Sequence, residues 1–328
     1  DDDGDGWTDT DELVCSTDPV DSTSIPADTD SDGICDEVDT DRTVSGFQSG
    51  SVFTDASLSA RGDSTCAILE NASLQCWGSN SGSKLGTGSD RSNPTAADLG
   101  TGLSAVATAV GYYNSCSILD DGSVKCWGQN NGGSSGTIIN IGSGRIAVAI
   151  TAGFDYACAI LDDASLICWG SNGLGQLGDG TTTSASTSSP VTVDIGTGRT
   201  AVAVAAGHYH TCAILDNASL YCWGSNAAGR LGDGTTTSSS TPVNVDIGLG
   251  RYAVAISAGN SHTCAILDNG SLKCWGNNPY GNLGDGSTSE TSTPVSVDLG
   301  TGRTAIAISL GNTHSCAILD DNSLKCWG

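Results

Sequence analysis

Short apolar runs and polar triplets alternate along this chain with a regular period from residue 43 to the end. The clearest copy reads Cys264-Ala-Ile-Leu, then Asp-Asn-Gly, then Ser-Leu-Lys-Cys274-Trp-Gly. Two apolar runs around such a triplet indicate a β-hairpin. The pattern occurs six times, each with a second cysteine ten residues after the first. The first cysteines are Cys66, Cys116, Cys158, Cys212, Cys264 and Cys316.

The length of the hairpin loop decides where the two cysteines lie. If residues 268–270 form a three-residue loop with a left-handed third residue, Cys264 lies directly opposite Cys274. Opposed residues of antiparallel strands lie within the Cα separation that a disulfide needs. A two-residue loop would offset the cysteines by one and turn them to opposite faces. We therefore expect Cys66–Cys76, Cys116–Cys126, Cys158–Cys168, Cys212–Cys222, Cys264–Cys274 and Cys316–Cys326.

Twelve reduced, buried cysteines that fill space as small apolar side chains are the alternative. Cysteine at this density seldom persists as free thiol without a metal or redox task. The ten-residue spacing lacks the paired Cys-x-x-Cys steps of a zinc site. Disulfides would place the chain in an oxidising, extracellular or cell-surface location.

The period of the repeat predicts the architecture. First cysteines are separated by 50, 42, 54, 52 and 52 residues, and a period near 50 is typical of a propeller blade. Each unit reads as four strands: an alanine-rich inner strand such as 201–206, the two hairpin strands, and an outer strand such as 242–247. We predict an all-β fold, a β-propeller of four-stranded blades over residues 43–328. The tryptophans after the second cysteines would fill the blade interfaces, namely Trp77, Trp127, Trp169, Trp223, Trp275 and Trp327.

The last recognisable repeat lacks an outer strand. Either Thr43–Phe47 supplies that strand and closes a six-bladed ring, or further blades follow Gly328 and the full chain has seven. The second alternative is slightly favoured.

The repeat resembles a known family. Its elements are Gly-x-x-His-(Thr/Ser)-Cys, Asp-Asn-Gly-Ser-Leu, Cys-Trp-Gly-x-Asn and (Arg/Asn)-Leu-Gly-Asp-Gly. Together they resemble the repeat of the regulator of chromosome condensation family over roughly residues 43–328. The resemblance implies a propeller of four-stranded blades, typically seven. It also implies either the nuclear guanine-nucleotide exchange role of that family or the binding-scaffold role of its secreted, cysteine-containing branch.

Residues 1–42 form a second, acidic region, with 16 of the 37 acidic residues and one base, Arg42. Two stretches place oxygen ligands at positions 1, 3, 5, 9 and 12 of a calcium loop, with glycine at position 6. Pro19, Pro26 and the lack of amphipathic flanks argue against an EF-hand pair. The predicted ligands are Asp1, Asp3, Asp5, Trp7 (carbonyl), Asp9 and Glu12, and Asp28, Asp30, Asp32, Ile34 (carbonyl), Asp36 and Asp39.

This acidic region resembles thrombospondin type 3 repeats through the spacing of residues 28–39. A disulfide between Cys15 and Cys35 is expected across it. A disordered acidic linker is the alternative. Calcium is the expected cofactor, bound at roughly 10⁻⁴–10⁻³ M as in other extracellular modules.

Charge argues against a nucleic-acid partner, and hydropathy argues against a membrane-spanning segment. The formal charge of −25 leaves no basic stripe for a nucleic-acid backbone. No run of 18 apolar residues exists, so we expect no membrane span in this segment.

Several recurring polar residues have a structural and a chemical interpretation. His210, His262 and His314 stand two residues before the hairpin cysteine, where a metal ring is less plausible than bonds to local backbone. Arg61-Gly62-Asp63 matches a receptor-binding tripeptide but aligns with turns in the other repeats. Arginines after Gly-x-Gly suggest ion pairs at blade corners, and sequons in hairpin turns suggest either glycosylation or turn formation. The arginines are Arg145, Arg199, Arg251 and Arg303, and the sequons begin at Asn71, Asn217 and Asn269.

Apart from the residues that recur in the repeat for structural reasons, the sequence offers no nucleophile–base pair, paired acid or phosphate loop. No catalytic residue is therefore predicted. We expect an extracellular, non-enzymatic structural or adhesive protein of a surface layer, filament or matrix. Its partners would be other copies of itself, other surface proteins, or glycans. The first alternative is a secreted, inhibitor-like module that binds a protein or glycan, and a guanine-nucleotide exchange factor is less favoured.

Overall fold

The computed structural model describes residues 58–129 and 133–328, which belong to one compact unit spanning 54–328. These residues form 23 β-strands in six antiparallel sheets, with two short 3₁₀ turns, Ser81–Ser83 and Ala227–Gly229. In them, no helix has the length and apolarity to cross a bilayer. Three predicted features lie outside the described residues: the calcium ligands at positions 1–39, the cysteines Cys15 and Cys35, and the segment Thr43–Phe47.

Each sheet is one propeller blade, with strands in chain order from the axis outward. Five blades have four strands, and the sixth has three within the described residues. Blades 1 to 3 contain β1 (Leu58–Arg61), β2 (Ser64–Ile68), β3 (Leu74–Gly78) and β4 (Arg91–Ala96); β5 (Ala105–Val110), β6 (Asn114–Leu119), β7 (Val124–Gly128) and β8 (Gly133–Ile138); β9 (Ala147–Ala152), β10 (Tyr156–Leu161), β11 (Leu166–Gly170) and β12 (Val191–Thr192). Blades 4 to 6 contain β13 (Ala201–Ala206), β14 (His210–Leu215), β15 (Leu220–Gly224) and β16 (Ser239–Asn244); β17 (Ala253–Ala258), β18 (His262–Leu267), β19 (Leu272–Gly276) and β20 (Thr291–Ser296); β21 (Ala305–Leu310), β22 (Ser315–Leu319) and β23 (Leu324–Trp327).

The central hairpin of each blade has the predicted three-residue loop. In blade 5, Leu267 N donates to Ser271 O at 2.9 Å, and Cys264 pairs with Cys274 across the strands. Gly270, the third loop residue, has a φ of +74°. The other five loops place Ala72, Gly122, Ala164, Ala218 and Asn322 in the same left-handed region.

All six predicted hairpin disulfides are present. Their Cα–Cα separations are 4.0–4.1 Å, which follows from cross-strand pairing of the two cysteines. The reduced-cysteine alternative is therefore not what the structure shows for these twelve residues.

The outer strand begins earlier than predicted. In blade 4 it spans Ser239–Asn244 rather than 242–247, because the register shifts between Cys222 and Gly224 and pairing resumes at Ser239. Pro242 is tolerated since an outer strand needs no N–H on its free side. Val245 and Ile247 turn into the core beyond the strand end, which explains why their apolar alternation resembled a continuing strand.

Successive blades meet through the tryptophans, as predicted. Trp275 of blade 5 is fully buried against the Cys212–Cys222 face of blade 4, and its Nε1 donates to Arg230 O at 2.9 Å. The turn that offers this carbonyl needs Gly232, because a Cβ there would lie 2.6 Å from Trp275 Nε1. Trp223 and Trp327 make the same hydrogen bond to Gln176 O and Asn282 O.

Buried polar contacts join neighbouring blades beside the tryptophans. His210 Nε2 lies 2.8 Å from Thr263 Oγ1, and His262 Nε2 lies 3.0 Å from Ser315 Oγ. The expectation that these histidines bond local backbone was wrong, because the ring reaches the hydroxyl of the next blade. Burial, followed by the charges of His314 and Arg61, lowers the pKa of His262 to about 4.

The first and last described blades each present an uncovered apolar face. Leu324 in blade 6 is 66% exposed, whereas its counterpart in blade 5, Leu272, is 1% exposed. Leu69 in blade 1 is 48% exposed, whereas Leu119 in blade 2 is 1% exposed. Neither a closing strand from Thr43–Phe47 nor a further blade falls within the described residues, so both alternatives for ring closure stay predictions.

The tryptophan contact predicts a matched pair of variants. Trp275→Phe removes a buried hydrogen bond and part of the packing, and we expect it to lower the free energy of unfolding by about 2 kcal/mol. Trp77→Phe changes the same repeat position on the half-exposed face of blade 1, and we expect a few tenths of a kcal/mol. Denaturant unfolding followed by circular dichroism measures both. Equal losses would contradict the assigned role of the interface.

The buried histidines predict a loss of stability between pH 6.5 and about 4. Their pKa values are lowered in the folded chain, so in this window the unfolded chain binds more protons than the folded chain. Lowering the pH therefore favours the unfolded chain. His262→Asn, which copies Asn114 of blade 2, should reduce this loss. Thermal unfolding at pH 7 and pH 5 measures it, and an unchanged difference between the two pH values would refute the role of His262.

Candidate functional site

The strand order gives the propeller two different ends. Each inner strand runs toward one end, where the loops after the first and third strands of every blade lie together; for example, Ser79 N donates to Asp63 O at 2.8 Å. We call this end the loop face. The opposite end, the hairpin face, carries the cysteine-hairpin turns and the connections between blades, as when Asp120 N donates to Ser104 O at 3.0 Å.

The hairpin face neutralises its arginines locally. Arg251 lies 2.8 Å from Asp268 and Arg199 lies 3.3 Å from Asp216, so each arginine pairs with the hairpin turn of its own blade. These are the blade-corner ion pairs that the sequence suggested. The aspartate five residues before the arginine is not the partner, since Asp246 Oδ1 instead accepts from Gly248 N at 2.9 Å.

The three sequons also lie on the hairpin face. Asn71, Asn217 and Asn269 are exposed at the tips of their turns. Each carboxamide oxygen accepts from the backbone N–H two residues later, at 3.1–3.2 Å. This bond serves the turn interpretation, and it leaves the amide nitrogen accessible, so glycosylation stays a prediction.

The loop face carries a cluster of aromatic rings that the sequence reasoning missed. We call it the aromatic belt, and it comprises Tyr112, Tyr113, Phe154, His208 and Tyr209. Neighbouring rings lie 4.1–5.6 Å apart between centroids, with Tyr112 stacked on Phe154 and Phe154 edge-on to His208. All five side chains are half-buried, so each offers part of its surface to solvent.

Backbone hydrogen bonds between loops hold the belt together across blades 2 to 5. Tyr112 N donates to Gly153 O at 3.0 Å and Phe154 N donates to His208 O at 3.2 Å. His208 N then donates to Gly259 O at 3.2 Å. The belt is therefore a continuous surface at the loop-face end of the propeller axis, not a set of separate side chains.

The belt breaks the symmetry of the repeat. Its positions are the two residues after the glycine that follows the inner strand in blades 2 to 6, or after Arg61 in blade 1, and outside blades 2 to 4 those positions are small or polar. The signal was present in the sequence, because this short stretch of each repeat holds four of the ten phenylalanines and tyrosines of the chain. The polar counterparts are Gly62, Asp63, Asn260, Ser261, Asn312 and Thr313.

One cationic side chain, Lys84, contacts the belt at Tyr112. Lys84 Nζ donates to Tyr112 O at 2.6 Å and lies 5.5 Å from the centre of the Tyr112 ring. Burial, followed by the charges of Arg61 and Arg230, lowers the pKa of His208 to about 4. His208 is therefore neutral at physiological pH, which lets its ring pack against Phe154 without carrying a charge.

The inner strands of all six blades line a central cavity of about 500 Å³, which we call the channel. Its wall combines small and aliphatic side chains with hydroxyls such as Thr151 and Ser257, and Arg61 stands at its loop-face end. Residues 58–129 and 133–328 contain no cluster of three or more histidine, cysteine or acidic side chains suited to a metal ion. The predicted calcium ligands lie between residues 1 and 39, outside that part of the chain.

Comparison with known proteins places this geometry in a family. The RCC1-like domain family matches residues 28–328. The plant ultraviolet-B receptor UVR8 of Arabidopsis thaliana is 31% identical over 155 residues, which cover 47% of this chain and 35% of UVR8. The E3 ubiquitin-protein ligase HERC2 of Homo sapiens is 30% identical over 158 residues, 47% of this chain and 3% of HERC2. The chain thus spans about a third or less of the length of these relatives.

Two solved structures share the fold. Yeast RCC1 (Prp20), in a crystal structure with Kap60, matches with a TM-score of 0.72 at 19% identity, covering 83% of this chain and 69% of that one. The ectodomain of the Arabidopsis thaliana receptor kinase ACR4 matches with a TM-score of 0.55 at 20% identity, covering 83% and 78%. With its six hairpin repeats arranged as blades around one axis, this chain belongs to the RCC1-like domain family.

Proposed function

We propose that this protein is an extracellular, non-enzymatic structural or adhesive component that holds its partners on the aromatic belt. The carrying observation is the belt itself, a solvent-facing aromatic surface confined to the loop face of blades 2 to 4. Tyrosine-rich patches that are half-buried and rigidly held are typical of contact surfaces between proteins. Other copies of this chain or other surface components are the proposed partners.

The disulfides support the extracellular part of the proposal. Six cross-strand disulfides with both cysteines placed for pairing are stable in oxidising compartments and rare in the cytosol. A receptor ectodomain that shares this fold is consistent with such a location. A nuclear guanine-nucleotide exchange role is the least supported alternative, because thiols stay reduced in the nucleus and these disulfides would not persist there.

The distribution of the sequons supports the choice of face. If they are used, glycans cover the hairpin face, where Asn71, Asn217 and Asn269 lie. The loop face stays free for contacts. A secreted module that captures one protein or glycan with the same belt is the second candidate, and the state of assembly separates the two.

Belt variants test the proposal. We expect the chain to sediment as assemblies larger than a monomer, and the double variant Phe154→Ala/Tyr209→Ala to weaken association about 30-fold, the loss typical of aromatic contact residues. Tyr252→Ala is the matched control, because Tyr252 is half-exposed on the hairpin face. Sedimentation velocity measures all three. A monomeric parent chain that captures a single protein or glycan through the belt would support the second candidate instead.

Calcium binding to the acidic region, residues 1–42, is a separate proposal. We expect two sites in residues 1–42 with dissociation constants of about 10⁻⁴–10⁻³ M. Asp5→Asn and Asp32→Asn should each remove one site, since each changes a carboxylate ligand into a weaker amide. Isothermal titration of the full chain measures the stoichiometry. Absence of saturable binding at 10⁻² M calcium, well above that range, would favour the acidic-linker interpretation.

A further inference from the structure

Arg61 departs from the repeat at a position that is glycine in the other five blades. It stands five residues before the first cysteine of blade 1, at the loop-face end of the innermost strand. In a repeat protein, residues that break the repeat mark tasks that the common blade does not require. The equivalent residues are Gly111, Gly153, Gly207, Gly259 and Gly311.

The Arg61 side chain crosses the mouth of the channel to reach three blades that are not its neighbours. Nη1 donates to Ala152 O at 3.0 Å and to Ala206 O at 2.6 Å. Nη2 donates to Ala258 O at 3.4 Å and to Gly259 O at 3.2 Å. One guanidinium thus binds the ends of the inner strands of blades 3, 4 and 5.

These carbonyls belong to the segments that carry the belt. Ala152 lies two residues before Phe154, and Ala206 lies two residues before His208. Gly259 O accepts both from Arg61 and from the N–H of His208. The position of the Arg61 guanidinium therefore constrains where the belt loops leave their strands.

We infer that Arg61 is the positioning residue of the aromatic belt. From the channel mouth it fixes the positions of the loops of blades 3 to 5, and it does not itself contact a partner. The inference rests on the proposed function, since the belt is the surface that it positions. A planar guanidinium with several fixed donors suits this task, because it can bind carbonyls from three directions at once. A lysine ammonium has fewer donors and no fixed fork.

This arrangement also explains the Arg61-Gly62-Asp63 tripeptide. Its arginine is engaged by backbone carbonyls on the far side of the channel and is not presented to solvent as a receptor ligand would need. The tripeptide is a turn whose first residue has a task inside the protein.

Hydrogen exchange of the full chain tests the inference without any partner. Arg61→Ala should speed exchange of the amides of Phe154 and His208 about tenfold, because the charge-assisted bonds that hold their loops are lost. Arg61→Lys should restore part of the protection. Millimolar methylguanidinium should restore it in Arg61→Ala, whereas sodium chloride at equal ionic strength should not. Arg199→Ala, which breaks an exposed ion pair on the hairpin face, is the control and should leave these amides unchanged.

The Leu215 amide, bonded to Ser219 O within the blade 4 hairpin, serves as the internal reference. Faster exchange of the belt amides relative to Leu215 supports the inference. Unchanged belt amides, or an equal acceleration of Leu215, overturn it, because Arg61 would then be dispensable or would act on overall stability. Either result leaves the belt as a contact surface untouched, since that proposal is judged by the belt variants alone.

Discussion

The whole fold depends on the contact between a tryptophan of one blade and the disulfide-bearing face of the blade before it. Each blade is a small sheet rich in alanine, serine and glycine, with little apolar surface of its own. The cross-strand disulfide fixes the register of the central hairpin, and this register decides that both cysteines and the neighbouring leucine face the same side. The next tryptophan covers that side, and in blades 4 to 6 its indole N–H donates to a backbone carbonyl in a turn of the covered blade.

Regularity and departure from it separate structure from function in this propeller. On the hairpin face of blades 3 to 6, an arginine pairs each time with an aspartate in the hairpin turn of the same blade. The loop face differs between blades: aromatic rings occupy blades 2 to 4, polar residues occupy the others, and an arginine replaces glycine in blade 1. This asymmetry gives a partner one distinct place on the ring, and function generally resides in such local sites rather than in the fold as a whole.

Much of the fold could be predicted from local constraints. Loop length, strand alternation and cysteine spacing act within about ten residues, so the hairpins, their disulfides and the buried tryptophans followed from the sequence. The outer strand was misplaced because its start depends on a register shift opposite Gly224, which no local pattern reveals. The arginine partners and the hydroxyl partners of the histidines were missed because they depend on which turn or blade lies nearby in space.

The belt and Arg61 become visible only once the blades are arranged around their common axis. Tyr112, Phe154 and His208 are about fifty residues apart in sequence, and Arg61 is far from each of the carbonyls that it binds. A sequence comparison among the six repeats could have flagged these positions as departures. It could not have shown that the departures meet at one end of the channel, since that follows from the shared axis.

The tryptophan contact requires the hairpin register that the cross-strand disulfides fix, and peptide mapping by mass spectrometry without reduction tests these disulfides most directly. We expect six links, each with a separation of ten residues, from Cys66–Cys76 to Cys316–Cys326. Free thiols at these positions, or links between different hairpins, would contradict this expectation.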